Sequence, residues 1–197
     1  MPRYFIGITP PDEVASIITD AQRRAQNLAR AHYGHREVPV SHGRSPLHIT
    51  LVEPFEAEDE HAVEQAVRET LGDLEPFELE LSGLGYFEPH TVYATVRKSE
   101  WPPLLTLREA LLLRLASIPF VIREFRPHLS LARKFRESDF GIIRRCLIEA
   151  TARQSARQPV AVFPQRFEVR GLTLFVQRNG AWTVLGPERR AQTENAA

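Results

Sequence analysis

The stretch "SPLHITLVEPF", residues 45–55, decides the fold because it joins a buried strand to a pair of polar side chains. Its apolar residues predict a β-strand, and successive side chains of a strand point to opposite faces of the sheet. This alternation predicts that His48, Thr50 and Val52 share the front face, with Ile49 and Leu51 on the back. An imidazole and a hydroxyl are therefore expected side by side on a strand whose back is apolar.

A second stretch, "RPHLSLAR" (126–133), repeats the order His, apolar, hydroxyl, apolar. His128 and Ser130 share one face by the same alternation, and the two histidines lie 80 residues apart. A single histidine on a strand is more often structural than catalytic. Two matching copies in opposite halves of the chain favour a shared site. If the halves pair about a pseudo-twofold axis, both imidazoles and both hydroxyls line one cleft.

Such a cleft suits acid–base chemistry at a phosphodiester. The pKa of an unperturbed imidazole is about 6.5, so at neutral pH one histidine can be neutral and the other protonated. The neutral ring would remove a proton from the attacking oxygen, and the imidazolium would protonate the leaving oxygen. Thr50 and Ser130 would donate hydrogen bonds to the non-bridging oxygens. The sequence leaves open which histidine is the base.

The rest of the chain intersperses strands with helices and carries several antiparallel signals, which predicts an α+β or mixed α/β fold. No low-complexity linker divides it, so we expect one domain over residues 1–187 and a flexible polar tail over 188–197. Within this pattern, "FELELSGLGYF" (77–87) is expected to turn at its glycines, and Asn179-Gly180 to join the last two strands.

The composition limits which binding partners and which cellular compartment are expected. The 197 residues include 25 basic and 25 acidic side chains, and this balance argues against binding of long duplex nucleic acid. A short RNA end or a small nucleotide remains a possible partner. Cys146 is the single cysteine, so neither a disulfide nor a zinc cluster is expected. Neither motif carries a carboxylate on its own face, so no metal or other cofactor is implied. Without a signal peptide or a membrane-spanning run, a cytoplasmic protein with no membrane partner is expected.

"HITL" and "HLSL" resemble the paired H-x-[ST]-x motifs of the 2H phosphoesterase superfamily, within it the 2'-5' RNA ligase/cyclic phosphodiesterase-like branch. The resemblance extends along most of the chain, since "RYFIGITPP" (3–11), "LSGLGYFEPHTVYATV" (81–96) and "LTLFVQRNGAWTVL" (172–185) are similar to other segments of that family. It implies a two-lobed α+β fold in which pseudo-twofold antiparallel sheets with outer helices enclose a central cleft.

The resemblance also implies an activity, which is metal-independent hydrolysis of 2',3'-cyclic phosphate ends of RNA or nucleotides to 2'-phosphates. His48 and His128 correspond to the acid–base pair, and Thr50 and Ser130 to phosphate ligands. Some members have an arginine five residues after the second histidine, which here is Arg133. A regular strand would point Arg133 to the back, so it should reach the cleft only from the strand end or beyond a bulge.

Four further residues are candidates for substrate contacts. His42 and Arg44 precede the first motif and could touch a substrate phosphate. Tyr86 and Phe87 stand where a nucleobase could stack on an aromatic ring, although hydrophobic packing at a strand end explains them equally well.

Other functions remain open on the sequence alone. Many ligase-like members follow the first motif with a Phe-Leu-Gly-type segment, whereas this chain has "VEPF" (52–55), which favours a side branch. The alternatives are hydrolysis or ligation of 2'-5' linkages, an RNA-end binding module without turnover, and a structural domain whose histidine strands are coincidental. The presence of both histidines and both hydroxyls favours the enzyme, because binding alone needs neither a tunable acid nor a tunable base.

Overall fold

The computed structural model describes residues 1–34, 46–119, 121–152 and 161–189. Beside two 3-10 turns at Lys98–Glu100 and Glu137–Asp139, eight strands and four α-helices are the main regular elements in these ranges. In chain order they are β1 (Arg3–Ile8), α1 (Asp12–Tyr33), β2 (Ile49–Glu56), α2 (Glu60–Gly72), β3 (Phe77–Phe87), β4 (Thr91–Val96), α3 (Trp101–Arg114), β5 (His128–Arg133), α4 (Phe140–Ala152), β6 (Gln165–Val169), β7 (Gly171–Arg178) and β8 (Ala181–Arg189).

The strands form one antiparallel sheet in the order β6-β3-β4-β5-β2-β1-β7-β8. Four strands lie on each side of the junction between β5 and β2, where a single bridge pairs Ile49 with Leu129. The succession strand, helix, strand, helix occurs as β1-α1-β2-α2 on one side and as β4-α3-β5-α4 on the other. The α+β fold with pseudo-twofold halves is thereby confirmed.

The helices pack in two pairs, α1 with α4 and α2 with α3. The alternate residues Ile49 and Leu51 of β2, and Leu129 and Leu131 of β5, are fully buried in the hydrophobic core. These side chains supply the apolar back of the sheet that the alternation of both motifs predicts. The core therefore fixes which face of each motif strand is left for His48 and Thr50, or for His128 and Ser130.

The prediction for Val52 is wrong because β2 contains a bulge. Thr50 pairs with Gly7 of β1, but Val52 pairs with Ile6, so Leu51 is an extra residue without a partner in β1. The extra residue resets the alternation, and Val52 joins the face of Ile6 in the core.

The predicted turn at the glycines of residues 77–87 is also wrong, because β3 runs without interruption to Phe87. Gly85 faces Tyr93 across the β3–β4 pair, and a Cβ at residue 85 would overlap the Tyr93 ring. The missing side chain thus makes room for an aromatic ring in the neighbouring strand. The turn at Asn179-Gly180 is confirmed, with φ values of 51° and 78°.

Two further predictions concern the C-terminal tail and the lack of a membrane-spanning segment. Strand β8 continues to Arg189, and residues 190–197 lie outside the described ranges, so the flexible tail stays a prediction. Within the described ranges, no helix has the length and apolar character that a membrane crossing requires.

Candidate active site

The two motifs meet at the middle of the sheet. The bridge between Ile49 and Leu129 is antiparallel, so the same register places His48 beside Ser130 and Thr50 beside His128. These four residues alternate with the buried leucine and isoleucine side chains, and they are only partly buried. Two imidazoles and two hydroxyls therefore surround one point on the sheet face opposite the core.

Both imidazoles are held in the same way by a backbone carbonyl two residues earlier. His48 Nδ1 lies 2.7 Å from the carbonyl oxygen of Pro46, and His128 Nδ1 lies 2.7 Å from that of Arg126. A carbonyl oxygen only accepts, so Nδ1 carries a proton in each ring and donates it. Nε2 is then the ring atom that takes up or delivers a proton.

Aromatic rings surround each histidine. The His48 ring lies 4.6 Å from Phe5 and 5.2 Å from Phe175, and Trp182 packs edge-on to Phe5 at 4.7 Å. The His128 ring lies 4.9 Å from Phe87 and 5.0 Å from Tyr93. These rings exclude water from the walls of the site.

Most of this aromatic lining was missed from the sequence, because Phe87 alone among these residues was a predicted site residue. The one available signal was the alternation of "TVYATV" (91–96), which places Tyr93 between Thr91 and Thr95 on one face. Phe5, Phe175 and Trp182 come from strands at the two ends of the chain, and only the sheet order brings them to His48.

Burial lowers the pKa of both imidazoles. The pKa of His48 falls to about 4, first through burial, with further lowering by the charges of Arg133 and His128. The hydrogen bond to the Pro46 carbonyl acts in the opposite direction. The pKa of His128 is also lowered, by burial and then by Arg133. Both rings are therefore neutral at pH 7 until an anion binds between them and favours the charged form.

A bulge in β5 brings Arg133 to the histidines. Ser130 pairs with Tyr93 and Ala132 pairs with Val92, so Leu131 is an extra residue without a partner in β4. Arg133 then pairs with Thr91 and shares the face of Ser130. Its positive charge lowers the pKa of both histidines. Strand β5 thus contains a bulge of the kind that Arg133 was predicted to need in order to reach the cleft. The role of Arg133 as a phosphate ligand stays a prediction.

The structure separates Tyr86 from Phe87. Tyr86 pairs with Val92 and lies on the helix side, where its ring meets Phe140 edge-on at 6.1 Å and Arg144 stands over it at 4.7 Å. The expected nucleobase contact of Tyr86 is corrected by this placement, because the ring is on the opposite face from His128. Phe87 remains on the cleft face. His42 and Arg44 lie outside the described residues.

The carboxylate that follows the first motif points to the helix side. Glu53 Oε2 lies 3.2 Å from Arg108 of α3, which is itself buried. Over the described ranges, no three or more His, Cys, Asp or Glu side chains come together as a metal-binding group.

A pseudo-twofold sheet that presents two histidine–hydroxyl strands at its centre defines the 2H phosphoesterase class. The chain belongs to the 2'-5' RNA ligase superfamily, whose family model matches residues 10–181. No match was found among curated proteins.

Solved structures share the fold over nearly the whole chain. The protein TT0787 of Thermus thermophilus is 25% identical with a TM-score of 0.60, over 94% of this chain and 96% of its own. E. coli LigT, in its complex with 3'-AMP, is 22% identical with a TM-score of 0.56, over 98% and 100%. Usb1 of Kluyveromyces marxianus is 16% identical with a TM-score of 0.50, over 93% and 97%.

Proposed function

We propose that the protein hydrolyses 2',3'-cyclic phosphate ends of RNA or of nucleotides to 2'-phosphates by metal-independent acid–base catalysis. The observation that carries this proposal is the matched pair of imidazoles around one bridge, each fixed through Nδ1 and each beside a hydroxyl. Membership of a superfamily that acts on phosphodiesters supports the reaction class. The cyclic substrate and the 2'-phosphate product go beyond what family membership supports and belong to the proposal alone.

The reaction follows from the protonation states of the two rings. Nε2 of one neutral histidine takes a proton from a water molecule, whose oxygen forms a bond to phosphorus. The bond between phosphorus and O3' breaks, and the other histidine, protonated at Nε2, gives its proton to O3'. Thr50, Ser130 and Arg133 donate hydrogen bonds to the non-bridging oxygens as negative charge accumulates. Phe87 and Tyr93 offer ring faces near His128 for a nucleobase.

A relative of the same fold binds ligands of the required kind. Crystal structures of E. coli LigT contain phosphate in one case and 3'-AMP in another. Such ligands suit a site that contains two hydroxyl donors, a guanidinium and two histidines on one face of the sheet.

Hydrolysis or ligation of 2'-5' linkages is the second candidate, favoured by the family to which the chain belongs. It uses the same groups. In ligation a ribose 5'-hydroxyl takes the place of water, its oxygen forms a bond to phosphorus, and the bond between phosphorus and O3' breaks as O3' is protonated. In the reverse direction the 3'-hydroxyl attacks phosphorus and the protonated O5' leaves, and water then opens the cyclic phosphate. An RNA-end binding module without turnover is the alternative from a different class.

The test is an assay in EDTA with 2',3'-cyclic nucleotides, an RNA ending in a 2',3'-cyclic phosphate, and a 2'-5'-linked dinucleotide. We expect the first two to give 2'-phosphate products. Turnover of the dinucleotide alone would support the second candidate. Binding of all three without any product would identify a binding module.

The pH dependence of kcat/KM provides a separate prediction. Since the pKa of each histidine lies below the usual value of about 6.5, the free protein already loses its catalytic acid as pH rises through this lowered pKa. We expect a bell-shaped profile with its maximum below pH 6.5 and a fall of about tenfold per pH unit on the alkaline side.

The profile of kcat should lie at higher pH than that of kcat/KM, because the bound phosphate anion raises the pKa of both rings. Initial rates between pH 4 and 9, at saturating and at limiting substrate, check this. A flat kcat/KM between pH 6 and 9, with chemistry limiting the rate, would contradict paired acid–base work.

Gly7 provides a prediction about backbone spacing at the site. An alanine Cβ at residue 7 would lie 2.7 Å from the Ile49 carbonyl oxygen, which is closer than van der Waals contact. Ile49 stands between His48 and Thr50, so a shift of its backbone moves both side chains. We expect Gly7→Ala to lower kcat/KM by about 10- to 100-fold in folded protein.

The matched control is Gly83→Ala, because an added Cβ at residue 83 meets no atom within 4 Å. Its kcat/KM should stay within about twofold of wild type, whereas equal kinetics for the two variants would show that the spacing at Gly7 does not matter.

A further inference from the structure

Each motif strand has a buried helix side chain bonded to the carbonyl of its bulged residue. Gln22 Nε2 of α1 donates to the carbonyl oxygen of Leu131 at 2.8 Å. Arg108 Nε of α3 donates to that of Leu51 at 2.9 Å. Leu51 and Leu131 occupy the same place in the two motifs, three residues after the histidine.

The two bonds meet the same need at equivalent bulges. Leu51 has no partner in β1 and Leu131 has none in β4, so each extra residue interrupts the ladder one position after Thr50 or Ser130. A buried carbonyl oxygen needs a hydrogen-bond donor, and the helix supplies it. The bonds also cross between the halves, since α1 follows β1 but reaches β5, while α3 follows β4 but reaches β2.

A contribution to folding stability does not explain why a glutamine occupies position 22. The residue has no exposed surface, and among the described residues its Oε1 has no hydrogen-bond partner. An amide buried with its oxygen unpaired costs folding free energy, and a methionine of similar size would fill the position without that cost. What the amide adds is the bond to Leu131, whose bulge turns Arg133 toward the cleft.

Arg108 links the bulge in the first motif strand to the segment that precedes the second motif. The residue is 7% exposed, and its NH2 group lies 3.2 Å from Glu53 and 3.2 Å from the Arg123 carbonyl oxygen. The guanidinium also stands 5.0 Å over the Phe125 ring. Arg123 and Phe125 belong to the segment that leads into His128.

We propose that Gln22 and Arg108 are paired positioning residues, each holding the bulge that sets the catalytic face of one motif strand. Gln22 acts through Arg133, and Arg108 acts through Thr50 and His48. This inference deepens the proposed function and rests on it for its kinetic readout.

The test at the second motif is Gln22→Met, with Arg24→Met as the matched control. Arg24 also lies on α1 and donates to a carbonyl, but that carbonyl belongs to Ala150 in α4 and not to a motif strand. For Gln22→Met we expect the Kd of inorganic phosphate and the KM of a 2',3'-cyclic nucleotide to rise about tenfold, which corresponds to one weakened charge-assisted hydrogen bond. Arg24→Met should leave both constants within about twofold of wild type in folded protein.

A double-mutant cycle separates positioning from a general loss of stability. If Gln22 acts through Arg133, then Gln22→Met should raise the phosphate Kd in wild type and have almost no effect in an Arg133→Met background. Equal effects in both backgrounds would overturn the role of Gln22, as would an unchanged phosphate Kd in Gln22→Met itself.

The test at the first motif compares Arg108→Gln with Arg108→Met. Both lose the charge and the bond to Glu53, but only glutamine keeps an amide donor for the Leu51 carbonyl, as Gln22 does for Leu131. We expect Arg108→Gln to retain at least tenfold more kcat than Arg108→Met. Equal kcat values in folded samples would overturn the role of Arg108, and this pair stays informative if Gln22→Met does not fold.

The phosphate readout distinguishes failure of this inference from failure of the proposed function. A wild-type protein that binds phosphate but does not hydrolyse cyclic phosphates contradicts the function, and the binding cycle on Gln22 and Arg133 still decides the positioning. A wild-type protein that binds no phosphate overturns the positioning proposal, since there would be no anion site to complete.

Discussion

Replacing His48 by alanine is expected to lower kcat for a 2',3'-cyclic nucleotide by about 10²–10⁴-fold, and replacing His128 should do the same. Each ring is held through Nδ1 by a carbonyl, so Nε2 of each is positioned for one proton transfer. Loss of one ring removes either the base that activates water or the acid that protonates O3'. The double variant should be little worse than either single one, because the two transfers act as a unit.

His61→Ala is the matched control for these variants, since His61 lies exposed on α2. Its kcat should equal that of wild type. Phosphate affinity and circular dichroism show whether each variant keeps a folded site. A folded His48→Ala or His128→Ala protein with turnover within threefold of wild type would contradict two-histidine catalysis.

Loss of the hydroxyl of Thr50 or of Ser130 is expected to cause the second large decrease in kcat. Thr50→Val and Ser130→Ala each remove one donor that faces the charge developing on the phosphate oxygens, and we expect each to lower kcat by about 10²–10³-fold. Valine keeps the shape of threonine, so the first change isolates the hydroxyl. Steady-state kinetics on folded samples measure the effect.

Variants that keep the hydroxyl are the controls. Thr50→Ser and Ser130→Thr should retain kcat within about tenfold of wild type, because the donor remains on the same strand position. Thr106→Val removes a hydroxyl from the exposed face of α3 and should change nothing. If Ser130→Ala and Ser130→Thr had the same kcat, Ser130 would not be a phosphate ligand.

The placement of both motifs on the face opposite the core could be predicted from the sequence. Alternating side chains and an apolar back are local properties of a strand, so Ile49 and Leu129 fixed the faces of their neighbours. The repeated order of residues then indicated that the two strands meet. The α+β class followed from interspersed helices and antiparallel signals in the same local way.

The bulges could not be predicted, because they depend on contacts between distant parts of the chain. Leu51 and Leu131 leave their ladders where Arg108 and Gln22 supply a hydrogen bond from helices 57 and 109 residues away. The predicted position of Val52 is wrong for this reason. The same kind of irregularity brings Arg133 to the cleft face, and the sequence could state that condition but not whether it was met.

Strand register explains the other differences. Gly85 and Phe87 face the cleft and Tyr86 faces α4 because β3 pairs with β4 through Tyr93 and Val92. Adjacent aromatic residues necessarily point to opposite faces, but only the pairing decides which of them faces His128. The lowered pKa of His48 likewise depends on Phe5 and Phe175, which come from strands remote in sequence.

The most direct test of two-histidine hydrolysis is ³¹P NMR of the reaction in ¹⁸O-labelled water with EDTA present. Wild-type protein should convert a 2',3'-cyclic nucleotide to a single 2'-phosphate that carries one ¹⁸O on phosphorus. His48→Ala and His128→Ala should still bind phosphate and give no such product over the same time. The same labelled product formed at a similar rate by either variant, or no product from a wild-type protein that binds phosphate, would contradict the account.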